Sequence, residues 1–245
     1  VAVTGVQTCA LPIFGGTLSA GGANAINMYV DRDIDRLMQR TQGRPLVTGE
    51  VSPRQALVFA VGIEAVSFVW LAVLVNLLSA VLALGACLFY VFVYTLWLKR
   101  RSTQNIVIGG AAGAAPVLIG WAAVAGSVSW SAVVLFALIF FWTPPHFWAL
   151  AIKYLDDYQA ASVPMLPAVA SLHRTSLEMV LYTAVTVACA TAFGVLASMG
   201  AVYHVSSAVL GAAFLALTVR MHRAGDGAGA MKVFSYSISY LTVLF

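Results

Sequence analysis

The chain has 245 residues, of which 61% are hydrophobic and only 9% are charged, with a formal net charge of +4. Soluble domains typically carry about 25% charged residues, so this composition excludes a water-soluble globular protein. It also excludes a basic nucleic-acid-binding domain, because the cations lie between apolar segments. The three cysteines are scattered through apolar segments without the paired spacing of a disulfide framework or a zinc site.

Long apolar runs recur along the chain. Crossing a bilayer as a helix takes about 20 apolar residues, and six runs reach this length: residues 57–75, 79–98, 106–125, 130–152, 178–199 and 205–221. Two incomplete runs, from about residue 5 to residue 30 and from residue 233 to residue 245, bring the count to eight. We therefore predict an all-α, polytopic membrane helical bundle that forms one transmembrane domain over residues 1–245.

The two ends of the chain suggest that it is truncated. No initiating Met is present, and the last apolar run stops after about 13 residues, which is short of a full crossing. Residues 10–13, Ala-Leu-Pro-Ile, match what a sequencing adapter would encode when translated. We therefore expect residues 1–13 to be non-native.

Charged and uncharged loops alternate between the predicted spans. All thirteen Lys and Arg residues lie in or beside four loops, at residues 31–54, 99–103, 153–176 and 222–232, whereas the short loops near Asn76, Gly126 and Gly200 have none. The positive-inside rule places the charged loops on the cytoplasmic side of the membrane, here the bacterial inner membrane. Four spans separate residues 31–54 from residues 153–176, so these two acidic loops share one face.

The first acidic loop continues the first apolar run. If it is helical, Asn27, Asp31 and Asp35 recur every four residues and line one face, whereas Asp33 points elsewhere. Like charges one turn apart destabilise an isolated helix by about 0.2–0.5 kcal/mol, so the pattern indicates a compensating cation. Hard oxygen ligands that leave positions open for a phosphate suit Mg²⁺.

Arginines around these acids allow two interpretations. Arg32, Arg36 and Arg40 could neutralise the acids in pairs one turn apart, which would make this an ordinary solvated helix end. Alternatively, Arg44 and, second to it, Arg40 lie in a Gly- and Pro-containing loop where guanidinium groups can clamp a diphosphate. The spacing alone leaves both interpretations open.

The second acidic loop follows residues 143–148, Thr-Pro-Pro-His-Phe-Trp. Two prolines inside a span should break or kink the helix and so open space for a ligand. Asp156 and Asp157 cannot both face one point of a regular helix, so we expect one to bind metal and the other to orient a ligand or cap the chain. The alternative for Asp157 is a helix-end ion pair with Lys153, one turn away.

Two ionisable side chains lie inside predicted spans, where such groups are often functional. His146 is a candidate for touching a ligand, but a hydrogen bond to a neighbouring helix explains it equally well. Glu64 is expected to face the bundle interior. The cluster of Lys99 and Arg100 adds cations to the acidic face, although it can also serve as a topology anchor.

These motifs resemble the UbiA-type intramembrane prenyltransferases. The first signature of that family is Asn-x-x-x-Asp-x-x-x-Asp, here Asn27, Asp31 and Asp35, and four spans separate it from the second acidic signature. The resemblance covers most of the chain after residue 13 and implies a nine-helix fold, so the first helix is expected to be missing and the last to be cut short. Ser162 departs from the pattern, since the family usually has glycine there.

Within the family, the motifs are most similar to the branch that prenylates haem. The segments that carry this similarity are residues 27–35, 40–46, 94–101, 105–110, 143–148, 156–158 and 163–167. Lys153 lies near where other branches have the first acid of their second signature. This difference fits the haem branch and makes the second metal-binding segment less regular.

The resemblance implies roles for individual residues. The metal ligands for Mg²⁺ would be Asn27, Asp31, Asp35 and Asp156, and the catalytic acids would be Asp31, Asp35, Asp156 and Asp157. The substrate-binding residues would be Asn27, Arg40, Arg44, Lys99, Arg100, Lys153, Tyr158 and His146, with Tyr29 and Tyr94 as further wall residues.

The activity implied is transfer of a farnesyl group from farnesyl diphosphate to a vinyl group of haem b, with release of diphosphate. The substrates and the lipid bilayer would be the main partners, and a haem A synthase acting on the product would be a further one. The nearest alternative is the same chemistry on a quinone precursor or a chlorophyll-type ring. A more remote alternative is a secondary transporter, which would show inverted repeats.

Overall fold

The protein is an all-helical bundle in the computed structural model, which describes the backbone of residues 2–245 and the side chains of residues 9–245. The helices are α1 (Ala2–Val30), α2 (Arg32–Asp35), α3 (Pro45–Thr48), α4 (Pro53–Leu74), α5 (Leu77–Leu88), α6 (Asn105–Ala125), α7 (Trp130–Lys153), α8 (Leu155–Ala160), α9 (Leu166–Val169), α10 (Leu172–Leu196), α11 (Ala201–Ala224) and α12 (Ala230–Leu244). A 3₁₀ helix, Gln39–Thr41, and a π-helix, Phe89–Leu98, complete the list.

Among the residues that the structure describes, six helices are long and apolar enough to cross a membrane. They confirm the six predicted spans and are α4, α5 with its π-helical continuation, α6, α7, α10 and α11. The chain is therefore a multi-pass integral membrane protein. The predicted starts were too late in several spans, because polar caps precede the apolar runs. Ser52 and Gln55 form a capping box at the start of α4, and Ser171 caps α10 six residues before the start predicted from hydropathy.

The helices form two groups, in which most long helices pack against a neighbour in the sequence. The two groups meet at α6. Helix α1 lies along α4, and α5 joins α4 to α6. On the other side, α7 packs against α6, α10 and α12, and its buried Leu138 and Trp148 belong to the largest apolar cluster. Close packing of α1 on α4 depends on small residues, since a Cβ on Gly15 would lie 2.5 Å from Leu71.

Helix α7 is continuous through Pro144 and Pro145, so these prolines do not break it, and of the predicted break or kink only the kink stays a prediction. Each proline removes one helical hydrogen bond, and neighbouring polar groups are bonded instead. Thr143 Oγ1 donates to the Ile139 carbonyl at 2.8 Å, and the Trp142 indole donates to the carbonyl of Ser237 on α12 at 2.9 Å. Packing against α12 thus supports the proline-containing turn.

The charged end of α5 is wound as a π-helix over Phe89–Leu98. Thr95 Oγ1 donates to the carbonyl of Tyr90, five residues earlier, at 2.9 Å. Tyr90 and Tyr94 stack with ring centroids 5.2 Å apart. The π-helix ends at Lys99, whose backbone N–H bonds the carbonyl of Tyr94. π-Helical turns are uncommon and are frequent at functional sites, and this one ends just before Lys99 and Arg100, whose side chains reach Asp31.

Candidate active site

The three residues of the first signature lie on one face, as their spacing predicts. The Asp31 N–H bonds the Asn27 carbonyl at 2.9 Å and the Asp35 N–H bonds the Asp31 carbonyl at 2.8 Å, so helical hydrogen bonding continues across the bend between α1 and α2. Asp31 is 0% exposed and Asp35 is 3% exposed. Asp33 points away, with a side chain that is 61% exposed. Two buried carboxylates one turn apart require compensating charge.

Cations from distant segments supply that charge. The Lys99 ammonium donates to Asp31 Oδ2, and an Arg100 Nη lies 3.5 Å from Asp31 Oδ1. An Arg44 Nη lies 2.5 Å from Asp35 Oδ2. Among the ion pairs of the described side chains, those of the two buried acids involve these three cations. The interpretation as a locally neutralised helix end is therefore wrong.

Asn27 holds Asp31 in place from the membrane side. Its amide nitrogen donates to Asp31 Oδ2 at 2.7 Å and to Thr95 Oγ1 at 3.3 Å. Thr95 belongs to the π-helix, and its hydroxyl donates a hydrogen bond to the Tyr90 carbonyl. The first acidic helix and the π-helix are therefore joined by a side-chain network as well as by the Lys99 ion pair.

Asp33 and Arg100 form a two-pronged pair at the surface of the same face. The guanidinium donates to the two Asp33 carboxylate oxygens at 2.6 and 2.7 Å. These hydrogen bonds lower the pKa of Asp33 from 3.8 to about 2, and the same pair raises the pKa of Arg100. Arg100 is thereby held between an exposed acid and the buried Asp31.

The Asp33 pair predicts a specific acid response. Because the pKa of Asp33 is lower in the folded protein, the pair stabilises the fold above about pH 4 and loses its contribution as the pH falls through about 2. The contribution is at most about 1 kcal/mol, since both groups are partly exposed. We expect the difference in free energy of unfolding between wild type and Asp33→Asn to be constant above about pH 5, to fall as the pH is lowered through 3.8 and about 2, and to vanish only near about pH 1. A difference that stays constant from about pH 5 to about pH 1 would contradict the assignment.

The second acidic loop contacts the first through Asp157. Its carboxylate oxygens accept from the backbone N–H groups of Gln39 and Arg40 at 3.3 and 3.4 Å. Asp157 thus caps the 3₁₀ helix, one of the two roles predicted for this pair of acids. Among the described side chains, Lys153 makes no ion pair with Asp157; its ammonium lies 5.4 Å from the Tyr154 ring centroid instead.

Asp156 is exposed at the start of α8. Among the residues that the structure describes, no three acidic, histidine or cysteine side chains are grouped closely enough to hold a metal. The structure therefore does not bring Asp156 together with Asp31 and Asp35, whose charges are already balanced by cations. The four-ligand metal set with Asn27 stays a prediction, and Asp31 and Asp35 are its two buried carboxylates.

The predicted wall tyrosines lie at different places. Tyr158 is buried with Ile34 and Met38, where α8 packs on the first acidic loop, and Tyr94 packs against the same cluster. Tyr29 receives the Arg32 guanidinium, 4.7 Å above its ring centroid. Tyr158 and Tyr94 thus pack beside the first acidic loop, whereas Tyr29 is paired with Arg32.

His146 lies in an aromatic sandwich between α7 and α12. Its ring stacks on Trp142 and Phe234 at centroid distances of 4.3 and 4.6 Å, and its Nδ1 lies 2.7 Å from Ser237 Oγ. We assign the Ser237 hydroxyl hydrogen to the Phe234 carbonyl, 2.6 Å away, and with that assignment Nδ1 donates to Ser237. In the neutral ring, Nε2 then keeps its lone pair. The predicted hydrogen bond to a neighbouring helix is therefore present, and one nitrogen remains for a ligand.

A cavity of about 520 Å³ lies between α1, the α5 helix with its π-helical end, and α6. Its wall is mainly apolar and includes Ser19, Asn24, Cys87 and Tyr90, and its size is typical of small-molecule pockets. The α7 prolines are not among the residues that line this cavity, and the predicted ligand space beside them stays a prediction. Sequence reasoning missed Asn24 and Tyr90, although Asn24 lies one helical turn before the first signature.

Glu64 faces the bundle interior, as expected, and the structure supplies its partner. The Ser19 hydroxyl on α1 donates to Glu64 Oε1 at 3.1 Å, and Glu64 is 8% exposed. The other oxygen, Oε2, is buried without a hydrogen-bond partner among the described residues. This acid lies behind the cavity wall rather than among the acids of the charged face.

Comparison with known proteins identifies the family. The profile of the UbiA prenyltransferase family matches residues 2–241. The chain belongs to this family. It is 54% identical over 236 residues to the protoheme IX farnesyltransferase of Clavibacter michiganensis, with 95% of this chain and 77% of that protein covered. It is 56% identical over 239 residues to the protoheme IX farnesyltransferase of Frankia alni, covering 96% and 83%.

Solved structures of UbiA-type proteins share the fold. A digeranylgeranylglyceryl phosphate synthase matches with a TM-score of 0.80 at 17% identity, covering 98% of this chain and 83% of that chain. A UbiA homologue from Archaeoglobus fulgidus bound to DMAPP and Mg²⁺ matches with a TM-score of 0.66 at 19% identity, covering 97% and 88%. Membership of the UbiA family makes the secondary-transporter alternative untenable.

The loop that follows α8 contains the departure from the UbiA pattern. Ser162, where the family resemblance places glycine, has φ 51°, in the left-handed region. The next N–H, that of Val163, bonds the Tyr158 carbonyl at 3.0 Å, so this conformation closes the turn after α8. The preference for glycine therefore has a backbone cause.

Replacing Ser162 with glycine should stabilise the protein. The change removes a left-handed penalty of about 1–2 kcal/mol, which is partly offset by about 0.4–1 kcal/mol of added chain entropy in the unfolded state. We expect a net gain of up to about 1 kcal/mol in the free energy of unfolding, measured by denaturation in detergent. Ser162→Val is the contrasting variant and should destabilise, since a β-branched side chain tolerates this φ poorly. Equal stability of both variants would rule out backbone strain here.

Proposed function

We propose that the chain transfers a farnesyl group from farnesyl diphosphate to a vinyl group of haem b and so produces haem O. One observation carries the proposal: two buried carboxylates, Asp31 and Asp35, lie next to three cations, and their face of the helix begins one turn after Asn24, which lines an apolar cavity. An anionic leaving group and a hydrocarbon tail need these two environments side by side. The names of the relatives support haem as the acceptor.

Mg²⁺ fits the acids of this site. Hard carboxylate oxygens suit the ion, which is commonly bound through one or two carboxylates plus substrate phosphates. Asp31 and Asp35 would hold it, with Asn27 and Asp156 as the further predicted ligands. When bound, the ion would act as a Lewis acid that stabilises negative charge on the departing diphosphate. The UbiA homologue bound to DMAPP and Mg²⁺ supports this assignment.

The cations of the site would bind the diphosphate. Arg44, Lys99 and Arg100 now pair with carboxylates. Arg40 belongs to the loop capped by Asp157, and its guanidinium lies 5.7 Å from the Tyr154 ring centroid. A diphosphate that enters with its metal would take over part of these ion pairs. The guanidinium groups would then donate to phosphate oxygens and stabilise the charge that develops as the bond to carbon C1 breaks.

The reaction itself needs an allylic cation protected from water. When the C1–O bond of farnesyl diphosphate breaks, its electron pair leaves with the diphosphate. The vinyl group of the haem then supplies the electron pair of the new C–C bond. Water then adds to the adjacent vinyl carbon and loses a proton, which gives the hydroxyethylfarnesyl substituent. The apolar cavity would hold the prenyl chain and limit the access of water to the first cation. Tyr94 and Tyr158 would supply aromatic faces nearby.

His146 is the proposed contact for the haem. Its Nδ1 bonds Ser237. Nε2 would then bind the iron through its lone pair or, in the protonated ring, donate a hydrogen bond to a propionate.

The acidic face would lie on the cytoplasmic side of the bacterial inner membrane, because the cation-rich loops cluster there. A haem A synthase is the proposed consumer of the product.

The assay that tests the function uses the purified chain in detergent with haem b, farnesyl diphosphate and Mg²⁺. Extracted haems are analysed by mass. We expect a new haem with the mass of the hydroxyethylfarnesyl derivative, dependent on both the diphosphate and the metal. If the folded protein instead prenylates only an aromatic quinone precursor or a chlorophyll-type ring, the haem assignment is wrong and the family chemistry stands.

A further inference from the structure

We infer that Gly16 on α1 and Gly120 on α6 determine the length of prenyl donor that the cavity accepts. Both glycines line the cavity. This inference rests on the proposed function, since it takes the cavity as the place of the prenyl chain. It adds two positions towards the end of the cavity far from the acids, where Pro12 and Ile13 also line the wall.

The cavity glycines are not required by helix packing. A Cβ built on Gly16 or on Gly120 would meet no atom within 4 Å. By contrast, a Cβ on the neighbouring Gly15 would lie 2.5 Å from Leu71, and one on Gly22 would lie 3.1 Å from the Ala60 carbonyl. Gly15 and Gly22 therefore let α1 approach α4, whereas Gly16 and Gly120 leave open space inside the cavity.

The two glycines lie at matching depths below the acids. Gly16 is fifteen residues from Asp31, which at a rise of 1.5 Å per residue is about 22 Å along the helix. Gly120 is likewise fifteen residues, or about 22 Å, from Asn105. The Asn105 amide bonds the Lys99 carbonyl at 3.3 Å, so Asn105 starts at the level of the charged face. A chain whose diphosphate lies at Asp31 would reach these glycines with its last isoprene unit.

A third cavity glycine provides a nearer reference point. Gly113 also lines the cavity, and a Cβ there would meet no atom within 4 Å. It lies eight residues from Asn105, at a depth of about 12 Å. A large side chain at Gly113 would block the middle of the cavity, whereas one at Gly120 would block only its end. The two positions should therefore discriminate donors of different length.

The test measures binding without the acceptor, by calorimetry with Mg²⁺ and dimethylallyl, geranyl or farnesyl diphosphate. Wild type should bind farnesyl diphosphate most tightly. Gly120→Leu and Gly16→Leu should weaken farnesyl diphosphate at least about tenfold and leave dimethylallyl diphosphate unchanged, because only the last unit loses its apolar contacts. Gly113→Leu should weaken both geranyl and farnesyl diphosphate.

Matched controls carry the same substitution outside the cavity. Gly62 of α4 and Gly85 of α5 are not among the residues that line the cavity, and a Cβ on either would also meet no atom within 4 Å. Gly62→Leu and Gly85→Leu should keep the wild-type order of affinities. Unchanged dimethylallyl diphosphate binding shows that each cavity variant is folded.

Two results would overturn the inference: wild type that does not distinguish dimethylallyl from farnesyl diphosphate, or cavity variants that keep the wild-type preference. Failure of the proposed function has a different signature. Wild type that binds farnesyl diphosphate but forms no haem O would overturn the acceptor assignment, and the binding series would still decide the role of Gly16 and Gly120.

Discussion

Asp31→Asn is expected to lower the rate of prenyl transfer by about 100- to 1000-fold, the usual loss when one preorganised electrostatic group is removed. The amide has nearly the shape of the carboxylate, so packing is preserved. It removes the buried charge that Lys99 and Arg100 surround, and with it the oxygen best placed to bind Mg²⁺. The initial rate of haem O formation, followed by mass, measures the effect.

A second aspartate provides the control for this experiment. Asp226 is exposed in the turn before α12, where its carboxylate accepts from the Ala228 N–H at 3.0 Å. Asp226→Asn should keep the wild-type rate. If Asp31→Asn retained more than about a tenth of the activity at saturating Mg²⁺, the assignment of Asp31 to the metal would be wrong.

Lys99→Met is expected to destabilise the protein by about 3–5 kcal/mol, the cost of leaving a buried charge without its partner. The Asp31 side chain is fully buried, and the Lys99 side chain is 17% exposed. Methionine keeps the apolar part of the lysine chain and removes only the ammonium. Arg100 alone is a weak substitute, because its nearest nitrogen is 3.5 Å from Asp31. Equilibrium unfolding in mixed detergent measures the loss.

The double variant Asp31→Asn/Lys99→Met distinguishes the loss of the ion pair from the loss of side-chain packing. Since neither buried charge remains, it should be more stable than Lys99→Met alone by about 2 kcal/mol or more. Additive effects of the two substitutions would mean that the ammonium and the carboxylate do not interact in solution.

Hydropathy predicted the bundle well because membrane helices must satisfy their own backbone hydrogen bonds. A long apolar run then has few structural alternatives. The boundaries were less predictable, since polar caps such as Ser52 and Ser171 extend helices beyond their apolar part. The Pro-Pro motif misled for a related reason. Its effect on α7 depends on α12, whose carbonyl at Ser237 bonds the α7 indole and whose residues pack against that turn.

The acids of the site were predictable from their four-residue spacing, but their partners were not. Asp31 pairs with Lys99, sixty-eight residues away, and local spacing pointed instead to arginines one turn along. The cavity was also unpredictable, because small residues in apolar runs can either line a cavity or pack against a helix. Gly15 and Gly16 are adjacent in sequence, yet Gly15 packs against α4 whereas Gly16 lines the cavity.

The distance in sequence between Asp31 and Lys99 has a consequence for the order in which the protein is assembled during synthesis. Asp35 pairs with Arg44, which lies nine residues later in the same loop. This pair can therefore form as soon as α1 has been inserted. Asp31 must wait until α4 and α5 have left the ribosome before its ammonium partner exists. Chain synthesis proceeds at about 5–20 residues per second, so this acid remains uncompensated for several seconds. The charged end of α1 should therefore stay in the aqueous interface at first, and it should settle into the bundle only after α5 has arrived.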